Sequence, residues 1–416
     1  MSNVFLSTRK RFSPWRWTKA AGIRHYLSML GGNGFFWLDV FLLFAGIPTA
    51  SSTKWTGARL IQYLSTFLFA FQSILYIQQT ISAVADRHGN TAILLIEAVK
   101  SSSIVLICMK MLLMIHLKIP LASLRQFIDS NRIYSGDKTY DERVFSKFHN
   151  SARKIPQVVF ALIGLETILL SIPSSARKAV FKLPHQLMGA GKHVSFLVNL
   201  LYFGLLPLGM CPRFFTNLGS LGVLLMGMRA KLQILAHRYQ QTLAHLVLDE
   251  KQYFAYMKLE MRKIMDQQLE FWRNLNILKD MVGKAFCLVH YFSIYAIGTM
   301  LYVSKIMGLN ATSVMLVAST AWLLLEYYVW CRLVESLKEE AESVALNIFE
   351  ICCLMPYDRE HAAQYTQQRT SLMISWISMS NGLTMDCLGL FQISTIGFVE
   401  LLNVVYTVVT FLINVN

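Results

Sequence analysis

Long apolar runs recur along this chain near 56 to 81, 92 to 117, 156 to 173, 195 to 227, 282 to 306, 311 to 333 and 383 to 413. About 20 helical residues cross the ~30 Å hydrocarbon core of a bilayer, and these runs are of that order. Inside the core no water meets backbone N–H and C=O groups, so helix is the way such runs satisfy them. The pattern predicts an all-α integral membrane protein with seven transmembrane helices. An eighth patch, Phe35 to Ala50, is short, holds Asp39 and ends in Gly46-Ile47-Pro48. That predicts a re-entrant or interfacial helix rather than a span.

The last run differs from the others. From Thr370 to Asn416 the chain has no Lys or Arg, and from Gly382 onward it is nearly unbroken apolar sequence. About 32 residues of helix would extend ~48 Å, so this element must tilt, bend or protrude. It is a candidate pore wall.

Composition supports the membrane reading: 54% of residues are hydrophobic and 15% charged, against roughly 25% charged in soluble domains. The formal net charge of +15 is unevenly placed. Six basic residues, Arg9 to Arg24, precede the first long run, which does not read as a cleavable signal. Eight lie between the second and third runs, and nine between the fourth and fifth. The alternate loops carry Arg87 and then Arg177, Lys178, Lys182 and Lys192. The positive-inside rule therefore predicts a cytoplasmic N-terminus and an extracellular C-terminus, the reverse of a G-protein-coupled receptor. The sequon Asn310-Ala311-Thr312 then falls outside.

The polar connections are helical in pattern too. Leu232, Leu235, Leu243, Leu246, Met257 and Met261 continue span four into a cytoplasmic hairpin; Val334, Leu337, Ala341, Val344, Ile348 and Ile351 recur at helical spacing after span six, until Pro356. The expected organisation is a cytoplasmic N-terminus with a re-entrant helix at 1–55 and transmembrane helices 1–4 at 56–227. A cytoplasmic hairpin at 228–281, helices 5–6 at 282–333, anchor helices at 334–382 and a pore-lining helix at 383–416 follow.

No enzyme motif is present. There is no CxxC pair, HExxH or glycine-rich phosphate loop, and the pairs His237/His245 and His185/His193 are poorly spaced for a shared metal. No cofactor, metal or nucleic-acid partner is expected. Cys352-Cys353 reads as packing thiols, with lipidation as the alternative. Among charges in the spans, Glu97 and Lys100 are three apart and set to neutralise each other. Glu166 lies in span three. Asp386 and Glu400 lie in the last run with no basic neighbour in sequence, where they would favour cations.

Aromatic and methionine residues gather toward the outer ends of several spans, among them Phe196, Tyr202, Phe203, Tyr295, Tyr302, Met315 and Trp322. A cavity between such helices suits a small lipophilic ligand, with ordinary packing as the alternative for each residue. The expected ligand contacts are Phe203 and Trp322 first, then Phe196, Tyr202, Leu165, Leu169, Ser101 and Met315.

Three stretches together resemble the insect odorant receptor family: LDVFLLFAGIP at 38–48, EEAESVALNI at 339–348, and QISTIGFVELLNVVYTVVTFLINV at 392–415. Position 47 is Ile where the family often has Trp. The TYhhhhhQF ending of the shared co-receptor and of gustatory receptors is absent, the frame here keeping Thr407 but ending in Asn414-Val415. The resemblance implies a ligand-tuning subunit of a tetrameric odorant-gated cation channel that works with a co-receptor. It also implies a plasma-membrane location in sensory neurons, a ligand site among spans two, three, four and six, and a pore lined by the last helix. A gustatory receptor is the near alternative, and a metabotropic seven-helix receptor or a solute transporter the distant ones. On the last helix Val408, Phe411 and Val415 share one stripe with Asn414 beside it. They are the expected gate, with packing against span five or six as the alternative.

Overall fold

The computed structural model describes residues 35–47, 56–85, 91–171, 191–244, 250–357 and 359–415. The basic N-terminal cluster, Arg87, Arg177, Lys178, Lys182, His185, His245 and Leu246 lie outside the described residues. Those described are helical, with one isolated antiparallel bridge between Asp386 and Gln392 and no strand. In chain order the helices are α1 (Phe36–Phe44), α2 (Thr56–Ala85), α3 (Thr91–His116), α4 (Lys118–Asp129), α5 (Lys138–Ser171) and α6 (Lys192–Asn199). A π-turn at Leu200–Gly204 leads to α7 (Leu206–Phe214), α8 (Thr216–Ala244), α9 (Glu250–Met307), α10 (Ala311–Leu354), α11 (Ala362–Gly382) and α12 (Thr395–Val415).

Among the described residues, seven stretches are long and apolar enough to cross a membrane: Gly57–Ala85, Thr91–His116, Phe196–Phe214, Thr216–Thr242, Tyr256–Met307, Ala311–Leu354 and Thr395–Asn414. The chain is a multi-pass membrane protein. These stretches do not match the seven runs of sequence one for one. The run at 195–227 is divided between two of them, and the run at 156–173 lies in α5, several of whose side chains, Glu166 included, are outside the described ones.

Helix α1 does not span. Gly46 at φ +82° ends it, with Ile47 N–H donating to the Leu42 carbonyl and Gly46 N–H to that of Leu43, a glycine-terminated cap that only a residue without Cβ adopts freely. Asp39 pairs with Arg125 of α4 at 2.8 Å, so its charge is neutralised where the helix is buried. Helix α5 is preceded by Asp137, whose carboxylate accepts the Thr139 and Tyr140 N–H groups at 2.9 and 3.2 Å.

The segment 192–244 is one helical path with two bends. Pro207 and Pro212 cannot donate backbone hydrogen bonds, and the Leu205 N–H reaches five residues back to Leu200 at 3.0 Å. Side chains collect carbonyls along the bent region: Arg213 Nη1 takes that of Gly209 at 2.8 Å, Lys110 Nζ that of Phe214 at 2.8 Å, and Thr216 Oγ1 that of Pro212 at 2.7 Å. A kink inside a membrane is tolerated when neighbours re-satisfy the freed groups in this way.

Helix α8 is the central element, packed against α10, α9 and α5, with Leu221, Val223, Leu224, Met228, Leu232 and Leu235 all buried. Helix α9 has 58 residues and α10 has 44, about 87 and 66 Å at 1.5 Å per residue. Both extend far beyond a bilayer, and α11 packs on α10 along that extension.

The last helix departs from the sequence expectation. It begins at Thr395 and has 21 residues, about 31 Å, so it matches the hydrocarbon core and needs no large tilt. Residues 383–394 form a compact turn instead. Leu388 and Gly389 have positive φ, and the Asp386–Gln392 bridge closes the turn against Gly283, where a Cβ would sit 2.7 Å from the Asp386 carbonyl oxygen.

Candidate functional site

The bend in 192–244 opens a cavity of about 300 Å³ between α2, α3, α7, α9 and α10. Tyr76 comes from α2; Ile96, Val99, Lys100, Ser103, Ile104 and Ile107 from one face of α3; Met210, Cys211 and Phe214 from α7. Phe292, Ala296 and Met300 of α9 face Met315, Ser319, Trp322 and Leu323 of α10. On α9 and α10 the lining residues lie toward the 308–310 connection. Such a chamber, mostly apolar with few polar groups, is the usual form of a small-molecule site.

Of the expected ligand residues, Met315 and Trp322 line this cavity. Tyr202 is fully buried but turns its hydroxyl to Gln79 Oε1 at 2.8 Å. Ser101 faces α2, bonding Thr80 at 2.6 Å, because it is rotated away from the 96/99/103/107 face of its helix. Phe196 and Leu165 are 69% and 52% exposed on the outside of the bundle. The side chains of Phe203 and Leu169 are outside the described ones. No described residue of α5 lines the cavity, whereas α9 supplies one wall; the expected ligand site drew on span three and not on span five. Pro207 and Pro212 were the available signal: prolines within an apolar run mark a bend, and a bend between packed helices leaves space.

Below the cavity, Lys110 and Glu326 form an ion pair at 2.9 Å, with 0% and 1% of their side chains exposed. Lys110 also lies 4.0 Å from the Phe214 ring centroid. Removing one partner of such a pair costs about 3–5 kcal/mol, because the other charge is left buried. The next residue, Tyr327, accepts or donates a 2.9 Å hydrogen bond with His290 Nδ1 and meets the Phe398 ring of α12 at 6.1 Å. The Phe391 ring lies tilted against His290 at 4.3 Å, and Thr395 Oγ1 donates to Glu335 at 3.0 Å. The cavity floor is thus packed through aromatic rings onto the start of α12.

Helix α12 has two faces. Leu401 and Val405 are buried, with Val408 and Leu412 partly so; Val408 Cγ1 would lie 3.3 Å from a Cβ at Gly298 of α9. On the opposite side, Glu400, Asn403, Thr407, Thr410 and Asn414 follow at spacings of three and four, all exposed except Thr410, which is partly so. The Thr407 and Thr410 hydroxyls donate to the Asn403 and Tyr406 carbonyls at 2.8 Å each. Val408, one of the expected gate residues, therefore packs against α9. Phe411, 65% exposed, flanks the polar stripe, and Asn414 lies on it; the Val415 side chain is outside those described. Asp386 is not on this helix but in the preceding turn, close enough to Lys279 to act on it electrostatically. The helix turns its only charge, Glu400, toward the stripe because the opposite face is filled by α9.

Glu97 and Lys100 are paired at 2.5 Å as the spacing implied. Among the described residues no three of His, Cys, Asp or Glu gather as a metal site requires.

No family model and no curated protein matches the chain. Solved structures do. The olfactory receptor OR5 of the insect Machilis hrabei superposes with a TM-score of 0.67 at 13% identity, covering 95% of this chain and 99% of that one. The same receptor in complex with eugenol gives 0.64, with the same identity and coverage. Over nearly its whole length, this chain has the fold of an insect olfactory receptor.

Proposed function

We propose that the chain is a subunit of an odorant-gated cation channel of the insect odorant receptor family. It takes a small volatile molecule into the α2/α3/α7/α9/α10 cavity and contributes α12 to a central pore shared with a co-receptor. The observation that carries this reading is the polar stripe on the far side of α12. An acidic or basic side chain at the centre of a membrane helix costs about 2.5–3.5 kcal/mol in lipid, so a face holding Glu400, Asn403, Thr407 and Asn414 belongs against water or another subunit. Copies arranged around an axis would turn these groups toward a common aqueous path. It would carry carboxylate, amide and hydroxyl oxygens and no basic residue, which favours cations.

Loop charge supports a cytoplasmic N-terminus and an extracellular C-terminus, and in this reading the cavity lies in the outer leaflet. The extensions of α9 and α10 with α11 then form a cytoplasmic anchor. Leu346, Phe349, Ile374 and Ile377 are exposed there, apolar area that a neighbouring subunit would cover. Ligand binding between α3, α7, α9 and α10 would bear on Glu326 and Tyr327, and through Phe398 on α12. In this reading Phe411 narrows the pore beside the stripe, and Asp386 sits at its inner approach. The expected location is the plasma membrane of a sensory neuron.

The deciding measurement is ligand-evoked current in cells expressing the chain with and without an odorant co-receptor. Current only with both subunits is expected. Current from the chain alone, or a response that needs a G protein, would reject the tuning-subunit reading.

A further inference from the structure

Helix α5 carries one continuous outer face whose chemistry changes along its length. Arg143, Lys147 and Lys154 share that face with Val158, Leu165 and Ile168 at spacings of three, four and seven, and all six are exposed. The three apolar side chains are 55%, 52% and 64% exposed, which is what a helix presents to lipid. Pro156 marks the change from basic to apolar. One turn away, the Arg153 guanidinium lies 5.8 Å from the Trp37 ring centroid of α1, and the Trp37 indole N–H has no partner among the described residues. Tryptophan and arginine collect at the headgroup level of membrane proteins, so this contact sets the bilayer boundary at the same turn of α5. Elsewhere in this half of the molecule Arg132, Arg238 and Lys263 each meet a carboxylate. Among the described residues Arg143, Lys147 and Lys154 have none within ion-pair distance. A stripe of one sign without internal counter-charge is an electrostatic footprint for an anion.

We propose that this face of α5 binds an anionic lipid of the cytoplasmic leaflet, a phosphatidylinositol carrying further phosphates on its ring. Its acyl chains lie along Val158, Leu165 and Ile168, and its headgroup phosphates meet Lys154 and then Lys147. The proposal rests on the orientation of the proposed channel, which turns this half of α5 to the cytoplasm. Height along the helix selects the headgroup. At 1.5 Å per residue Lys154 lies about 3 Å below Pro156, Lys147 about 14 Å and Arg143 about 20 Å. The interfacial layer of a bilayer is only about 5–7 Å deep on each side. A singly charged headgroup such as phosphatidylserine therefore reaches Lys154 and stops, whereas a phosphorylated inositol ring stands out of the layer toward Lys147. Arg143 is beyond contact, with Asp141 and Glu142 beside it, and acts only through a field that salt screens within about 8 Å. A lysine or arginine near a charged membrane surface changes occupancy about fivefold, and the effect should fall in the order Lys154, Lys147, Arg143. A protein partner lying along the stripe would give no such gradient.

The test is a titration of the full chain, purified in detergent with its co-receptor, followed by thermal unfolding. The probes are short-chain phosphatidylinositol bisphosphate, short-chain phosphatidylserine and free inositol trisphosphate. The inositol lipid should stabilise the complex at the lowest concentration. Phosphatidylserine should need more because it lacks the second contact, and inositol trisphosphate more because it has no acyl chain to lie on the apolar half of the face. Lys154→Gln should raise the half-saturating concentration of the inositol lipid about fivefold, Lys147→Gln about two- to fivefold and Arg143→Gln less than about twofold. All three positions are exposed, so unfolding without lipid should be unchanged. Phosphatidylserine binding as tightly as the inositol lipid overturns the headgroup class, and free inositol trisphosphate binding as tightly as the lipid overturns the membrane source. A largest effect at Arg143 replaces the lipid with a protein partner. Unaltered binding in all three variants moves the site to the co-receptor and overturns the proposal, as does the absence of stabilisation by any probe. If a variant cannot be purified, the order of the three probes on the unaltered complex still decides. Orientation is checked separately with Lys154→Cys in intact cells, which should gain no labelling over the unaltered chain from an impermeant thiol reagent applied outside. Labelling there would reject the orientation of the proposed channel while leaving the lipid titration as measured.

Discussion

Helices α2 and α12 are both apolar, both long enough to cross a bilayer, and both attached to the bundle by a single side, yet their free sides differ in chemistry. On α2 the free face is Leu60, Leu64, Phe67, Ile74, Ile77 and Ile81, each between 48% and 64% exposed. On α12 the face opposite Leu401 and Val405 carries Glu400, Asn403, Thr407, Thr410 and Asn414. Hydropathy does not register this difference: the most apolar stretch of α12 averages 2.0 and that of α2 averages 1.5. What separates them is the angular position of a few polar residues, visible only once the packed side of each helix is known.

The largest expected effect comes from placing one lysine on each free face. Phe67→Lys puts a charge into lipid at about 2.5–3.5 kcal/mol, and most of the protein should fail to reach the cell surface. Thr407→Lys should be expressed at the surface but pass little or no cation current, since a positive group would stand in the path. Surface biotinylation with current recording separates the two. Equal loss of surface protein would mean that α12, like α2, faces lipid.

Solvent access gives the next contrast. Cysteine at Asn403, Thr407 or Thr410 should react with a water-soluble thiol reagent while ligand is present, with current falling as it reacts. Cysteine at Ile74 or at Val405 should not, the first being in lipid and the second against the bundle. Reaction at 405 with silence at 403 and 407 would mean that the helix is rotated by about half a turn in the assembled channel.

The sequence revealed the helices because apolar length and charge distribution determine membrane insertion, and both are local properties. The start of α12 escaped it, since residues 383–394 are apolar enough to read as a continuation of the helix that follows. Hydropathy does not register that Leu388 and Gly389 take positive φ and that the turn bonds to itself through Met385, Cys387, Phe391 and Ile393. Which stripe of that helix is packed was hidden for a related reason. Val408, Phe411 and Val415 are a valid helical stripe, but which stripe faces inward depends on the small surface of Gly298, 110 residues away, into which Val408 fits. In the cavity, Met315 and Trp322 were legible as aromatic and thioether side chains near a helix end. Phe214 and Phe292 were not, because their placement follows from the proline bend of α7 and its packing on α9. The Glu97–Lys100 pair was legible as a local i, i+3 spacing, whereas its place on the cavity wall was not.

A smaller effect should follow from Glu400→Gln. An exposed unit charge acts on a cation at contact distance with about 1 kcal/mol in water, so permeability to cations relative to chloride should fall roughly fivefold. Reversal potentials under ion substitution measure it. An Asp386→Asn change should do less, because that carboxylate lies in the turn near Lys279 rather than on the stripe. A larger effect at 386 than at 400 would place the inner mouth of the pore at the turn.

The finest test concerns the contact that sets the rotation of α12. A Cβ at Gly298 would come within 3.3 Å of Val408 Cγ1, so Gly298→Ala gains up to about 1 kcal/mol of helix propensity but presses on Val408. Val408→Ala removes two partly buried methyl groups, a loss of the order of 1 kcal/mol. If the two residues touch in the assembled channel, the alanine at 298 fills space that the alanine at 408 vacates. The double variant should then be more stable than the sum of the single changes implies, by roughly 0.5 kcal/mol or more. Thermal unfolding of the purified complexes measures the coupling. Phe411→Ser, on the free side of the helix, should show no coupling with Gly298→Ala but should raise the current seen without ligand, as the loss of an apolar constriction would. Additive effects at 298 and 408, with coupling between 298 and 411, would mean that Phe411 faces α9 and that the polar stripe lies elsewhere than on the pore.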